Sequence, residues 1–320
     1  MKRRLFIFNF KPMVRFLKNI FLFVIWVAVA YPFMIFLTGY FPVPQVLTPN
    51  LYYRVAGSYG YMFTRISEAE QLTGPVDILF LGSSHSYRGF DPRNFKGKKT
   101  FNLGSSSQTP IQTKILLERY LDHINPKMVI YEVYPSTFET DGVESSLDVI
   151  VNSKNDFRSV KMAFELNNIK AYNTLIYAGF ADIFGLNKNF IESPQAGKDT
   201  YIPGGFVETG NGYYQFGNYS KSEWKLKDNQ LNTFHECLEL LKKKNVKTIL
   251  VFAPITPRLY NSYANNSQVD SIFSACNLEY YNFNRLMQIN DSLYFFDSHH
   301  LNSNGVELFN QKLIETLKLQ

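Results

Sequence analysis

The sequence has little cysteine, and one end of it has no acid. Cys237 and Cys276 are the only two cysteines in 320 residues. Neither stands in a CxxC pair or in a Cys/His ligand spacing, so a zinc site is not expected. They could form one disulfide outside the cytoplasm or stay as two buried thiols. No Asp or Glu occurs among the first 19 residues, where Lys2, Arg3, Arg4, Lys11, Arg15 and Lys18 all lie. Those six account for the whole net charge of +6, because the remaining 27 basic residues balance 27 acidic ones. A basic face for nucleic acid is therefore not expected on the folded part. Internal repeats and low-complexity tracts are absent too. Aromatics are plentiful, with 21 Tyr and 29 Phe against 2 Trp. A Tyr- and Phe-rich core accounts for them, with a sugar-stacking surface as the alternative.

Ile20 to Leu37 is an 18-residue run with no charge. Its length reaches the lower limit for a helix crossing a bilayer, about 17–25 residues. It has no polar face, which a soluble helix of this size would need, and Pro32 is better tolerated in a membrane helix. Basic residues on its N-terminal side place that end in the cytoplasm. A cleavable signal peptide ending near Ala28-Val29-Ala30 is the alternative, but the apolar run continues past it. The expected organisation is a basic cytoplasmic tail (1–19), a transmembrane helix (20–38), a stalk (39–75) and one domain (76–320). The chain is expected in the cytoplasmic (inner) membrane as a single-pass protein, with the domain outside.

Short apolar runs alternate with helical spacing beyond residue 76. Val76–Leu81, Thr100–Leu103, Met128–Val133, Thr248–Phe252 and Leu278–Phe283 read as strands. Thr109–Asp122, Asn232–Lys244 and Ser303–Leu319 read as helices. This alternation predicts an α/β fold, three layers with a central parallel sheet. Residues 136–225 break the pattern and are too long for a loop, so they read as an insertion near the strand ends. Its Tyr172, Tyr177, Tyr201, Tyr213, Tyr214 and Tyr219 either wall a cleft and hold a sugar or pack the insertion itself.

Three segments carry candidate chemistry. Leu81-Gly82-Ser83-Ser84-His85 puts a hydroxyl at a strand-to-helix turn, where backbone N–H groups converge. Asn102-Leu103-Gly104 ends the next strand, and its glycine N–H could face an oxyanion. Asp297-Ser298-His299-His300-Leu301-Asn302 precedes the last helix. There a carboxylate three residues from an imidazole could fix its tautomer and free the other nitrogen for a serine. Each segment alone is an ordinary turn. No Glu or Cys stands at ligand spacing around the two histidines, so neither a metal nor a cofactor is expected.

In this order the three segments resemble the blocks of the SGNH (GDSL-like) hydrolase superfamily, over roughly 76–134 and 245–320. The resemblance implies Ser84 as nucleophile, Asp297 and His300 completing the triad, and the N–H groups of Ser84 and Gly104 as oxyanion donors. His299 falls outside the triad. The superfamily's third block carries an Asn donor, whereas this chain reads Glu132-Val133-Tyr134-Pro135. With the membrane helix, that departure is similar to the membrane-anchored branch of the teichoic-acid D-alanylation protein DltD and the alginate O-acetylation proteins. The resemblance implies a serine-dependent O-acyltransferase, with acetyl expected, acting on a cell-envelope glycan acceptor. A membrane-bound O-acyltransferase would be the acyl donor. The alternatives are a membrane-anchored carbohydrate esterase with the same triad and a non-catalytic scaffold for envelope polysaccharide assembly.

Overall fold

The structure is a computed structural model describing residues 11–40, 56–57, 60–210, 212–215 and 217–319. Most of the basic tail and much of the expected stalk lie outside the described residues. Helix α1 (Lys11–Tyr40) contains the whole uncharged run and Pro32. It is the one described helix long and apolar enough to cross a membrane. It begins well before residue 20, because Lys11, Arg15 and Lys18 are themselves helical.

The packed domain starts earlier than residue 76. Helix α2 (Met62–Gln71) buries Met62, Arg65, Ile66 and Ala69. The core then follows the alternation: β1 (Ile78–Leu81), α3 (Ser84–Gly89), β2 (Thr100–Asn102), α4 (Pro110–Ile124) and β3 (Met128–Glu132). After the insertion come α8 (Asp228–Lys243) and β7 (Lys247–Phe252). Short helices α9 (Pro257–Ser262) and α10 (Asn266–Ser274) lead to β8 (Glu279–Asn282). Helices α11 (Phe283–Leu286), α12 (Asp291–Tyr294) and α13 (Ser303–Leu317) close the chain. Glycine is absent from these strands, and their β-branched and aromatic residues suit a pleated, two-sided core.

The strands form one parallel sheet in the order β2-β1-β3-β7-β8. Side chains alternate between its faces, as period two requires. Leu79, Leu81, Val129, Tyr131 and Leu250 pack under α4, α8 and α2. Ile78, Phe80, Ile130, Ile249 and Val251 pack under α13 with Phe283 and Phe295. Each fully buried Leu, Ile or Phe contributes about 1.5–3 kcal/mol, so both faces must be covered and the three-layer arrangement follows. In this strand order the connections leave β1 and β3 in opposite directions, opening a crevice at their carboxyl ends.

The insertion splits in two. Helices α5 (Val143–Asn152), α6 (Phe157–Leu166) and α7 (Ile169–Phe184) stack on one another and on α2, α4 and α1. Strands β4 (Gln195–Ala196), β5 (Asp199–Ile202) and β6 (Phe206–Thr209) form a small antiparallel sheet. It sits beside α3 and reaches the edge of β2, where Asn102 N–H donates to Gly204 O at 2.8 Å.

Candidate active site

β1 ends in Gly82, whose φ of 133° is a left-handed conformation that favours glycine. A Cβ there would lie 2.7 Å from the Glu132 side chain. This sharp turn brings Ser84 to the first position of α3, with Ser83 capping the helix through its Oγ and the His85 N–H. Asn102 staples the turn from β2. Its Nδ2 donates to Ser86 O at 2.8 Å, and its Oδ1 accepts from Ser86 Oγ at 3.2 Å. Ser84 thereby sits at the β1/β3 crevice, half-buried.

The loop before α13 meets it there. His300 Nε2 lies 2.7 Å from Ser84 Oγ, and His300 Nδ1 lies 2.8 Å from Asp297 Oδ2. Asp297 Oδ1 accepts the N–H groups of His299 and His300 at 2.9 and 2.8 Å, which fixes the loop around the carboxylate. Burial alone would raise the Asp297 pKa. The hydrogen bond and charge of His300, with His299, more than offset that and hold it well below the carboxylate range. An ionised Asp297 holds Nδ1–H, leaving Nε2 to accept from the Ser84 hydroxyl.

The structure thus brings Ser84, Asp297 and His300 together and keeps the His299 ring off the carboxylate. Gly104 differs from expectation. Its Cβ would lie 2.8 Å from Gly82 O, so the turn needs glycine for close approach. Its N–H, however, donates to Asn102 Oδ1 at 2.9 Å and is spent within its own turn. The Ser84 N–H, at the first position of α3, has no acceptor among the described residues.

Several neighbours were not picked out from sequence. His85 is buried beside the triad, with ring centroids 5.1 Å from His300 and 5.2 Å from His299. Burial and the neighbouring histidines push its pKa well down. The same causes lower His299 to about 4. The imidazoles of His85, His299 and His300 could bring ligand atoms within 4.8 Å of one another. Both nitrogens of His300 are engaged, which leaves two donors where catalytic zinc takes three protein ligands. The signal for His85 was its place directly after Ser84.

Glu132 ends β3 directly behind the turn, and Ser83 donates to its Oε2 through N–H at 3.0 Å and Oγ–H at 2.9 Å. It occupies the stretch where the resembled family carries its Asn donor. Arg65 reaches in from α2. Its side chain is wholly buried, donates to Gly104 O at 3.0 Å and Gly205 O at 2.9 Å, and stacks over Tyr87 at 4.5 Å.

Two hollows flank the triad. One of about 240 Å³ is lined by Ser84, His85, Ser107, Tyr134, Thr137 and His299. The other, about 300 Å³, is lined by Arg88, Lys198, Asp199, Phe296, Asp297 and His300. Lys198, Asp199 and Thr209 of the small sheet and its β4–β5 turn line this second hollow. Tyr201 packs with Tyr61 and Tyr87, Tyr177 packs with Ile35 of α1, and Tyr172 meets Phe164. Cys237 and Cys276 are free thiols, the first buried.

No protein-family model matches the sequence, and no curated protein does. Among solved structures the chain is similar to a GDSL-like lipase from Bacteroides thetaiotaomicron. They share 13% identity at a TM-score of 0.40, over 82% of this chain and 98% of that one. It is also similar to a candidate acylhydrolase from Bacteroides fragilis, with 12% identity and a TM-score of 0.41 over 82% and 100% of the two chains. Likeness at this level carries nothing about chemistry, which rests on the site itself.

Proposed function

We propose that the domain is a serine-dependent O-acyltransferase of the SGNH type, held at a membrane by α1 and modifying a hydroxyl of an envelope glycan. The observation that carries the reading is the continuous relay from Ser84 Oγ through His300 to Asp297, with spacings of 2.7 and 2.8 Å, at a β1/β3 crevice. His300 takes the Ser84 proton as Oγ attacks the acyl carbonyl, and the Ser84 N–H steadies the oxyanion. The leaving group departs with the proton from His300. An acceptor hydroxyl then gives its proton to His300 as it attacks the ester carbonyl, and Ser84 Oγ departs with that proton from His300, which restores the free serine.

Water in place of the glycan makes the same site an esterase. The tether favours transfer. A domain on an apolar helix meets a membrane-bound acyl donor at high effective concentration, and a freely diffusing hydrolase gains nothing from such a mount. A membrane-bound O-acyltransferase is the proposed donor, in the inner membrane with the N-terminus of this chain inside.

The test is acyl-enzyme partitioning. Full-length protein in detergent is loaded with an activated acetyl ester, and the Ser84 peptide is followed by mass spectrometry with and without envelope oligosaccharide. Decay accelerated by the glycan, with acetyl recovered on it, supports transfer. Decay at one rate in both would make the protein an esterase, and no ester on Ser84 would leave only a scaffold.

A further inference from the structure

Helix α7 buries Ala171, Tyr177, Ala178 and Ala181 together with two polar residues, and leaves large apolar side chains exposed near its C-terminal end, beside the exposed Asp182. Asn173 and Thr174 are fully buried, while Ile183 is 77% and Phe184 60% exposed. Ile176 and Phe180 are half-exposed beside them. The stretch around it adds exposed Phe157, Phe164, Ile169 and Ile191. Outside α1, the other large apolar side chains exposed to this degree among the described residues, Tyr213, Leu286 and Leu293, are spread along the chain. An apolar concentration on one segment marks a contact surface.

The packing of α1 indicates what covers it. Tyr31 OH donates to Asn173 Oδ1 at 2.6 Å. Ile35 is completely buried against Tyr177 and Ala181. The Phe36 ring lies 5.0 Å from Phe180 and 5.3 Å from Phe184. α1 is exposed from Lys11 to Ala30 and begins to be covered at Tyr31. Its uncharged run, however, continues to Leu37. α7 therefore packs on the last part of the apolar run itself. Tyr31 to Leu37 covers about 10 Å of helix rise, comparable with the ~5–10 Å to which interfacial helices sink. A helix docked on that stretch lies at the depth of the headgroup and acyl boundary.

We propose that the C-terminal half of α7 is an interfacial membrane platform. Ile183 and Phe184 would insert into the leaflet on the domain's side of the bilayer that α1 crosses. Ala171, Asn173, Thr174, Tyr177, Ala178 and Ala181 face the protein, and the exposed Ile183 and Phe184 meet lipid, so the helix carries apolar side chains on both sides where a water-facing surface helix would carry them on one. The platform rests on the reading of α1 as a membrane span.

The test uses full-length protein with Cys237→Ala and Cys276→Ala, reconstituted in phosphatidylcholine–phosphatidylglycerol liposomes. Single cysteines from Ile183→Cys, Phe184→Cys, Leu286→Cys and Trp26→Cys carry an environment-sensitive fluorophore. The expected result is blue-shifted emission at 183 and 184, lost on adding lipid spin-labelled near the headgroup. The label at 286 should keep water-like emission, and the label at 26 should be quenched by deep spin-labelled lipid. Quenching at 26 without quenching at 183 and 184 would overturn the platform and leave the anchor standing. No lipid quenching at 26 would remove the anchor and the platform together. Blue-shifted but lipid-insensitive labels at 183 and 184 that cross-link between chains would assign the face to a second copy and overturn the proposal.

Discussion

The carboxylate of Glu132 accepts both the N–H and the Oγ–H of Ser83, at 3.0 and 2.9 Å, one residue before the Ser84 hydroxyl. Its other oxygen has no partner among the described residues. Burial outweighs these two hydrogen bonds and the nearby Tyr134 N–H, and raises its pKa to about 7. In the unfolded chain an ordinary Glu titrates near 4.3. Between these values the folded state holds the extra proton, so stability falls as pH rises from about 4.5 to 7. Glu132→Gln should flatten that slope by up to about 3 kcal/mol, read as melting temperature against pH. An unchanged slope would place the titration elsewhere.

Ser84 should be the labelled residue. A fluorophosphonate probe is expected to modify the wild type and Ser83→Ala, the latter more slowly because the helix cap and the Oγ–H bond to Glu132 are lost. Ser84→Ala should give no adduct by gel fluorescence or peptide mapping. Label retained in Ser84→Ala would reassign the nucleophile.

Replacing His300 by Ala should lower turnover of an acetyl ester by about 10⁴–10⁶-fold, as loss of a triad base does. His299→Ala should keep most of it, because its ring touches His85 and His300 rather than Ser84 or the carboxylate. Equal losses in the two variants would point to a shared role for the histidine cluster.

Arg65→Met should destabilise the domain by about 2 kcal/mol or more, since the buried carbonyls of Gly104 and Gly205 lose their donors. Arg65→Lys should rescue little, because one ammonium cannot reproduce the planar fork that reaches both. Denaturant midpoints give the stability. A slower fluorophosphonate reaction in the surviving folded fraction would show that the Gly104 turn has loosened around Ser84.

β1, β3 and β7 were legible because each is a short apolar run, and β1 and β2 end at the glycine turns of Gly82 and Gly104. The relay was legible because Asp297 and His300 are local partners and β1 delivers a serine to the sheet's carboxyl edge. Other features are relationships between distant residues. Arg65 is a buried cation inside a stretch with weak periodicity, and its partners are two carbonyls that no pattern announces. Glu132 reads as one polar residue at a strand end, and its role comes from β3 lying beside β1. The engagement of Gly104 N–H depends on the rotamer of Asn102, which composition and spacing do not encode.

The docking of Tyr31, Ile35 and Phe36 onto α7 changes what kind of mount α1 provides. A limp leash would let the domain sweep a hemisphere, with the crevice at any height. A mast bolted to the domain sets one height and one bearing. One residue inserted in α1 ahead of Ala30 would raise the domain by about 1.5 Å and swing it by about 100° about the mast. If the protein is the acyltransferase proposed above, an acyl donor in the same membrane would have to present its cargo at a fixed azimuth as well as a fixed altitude. The two proteins would dock as keyed parts rather than meet by chance.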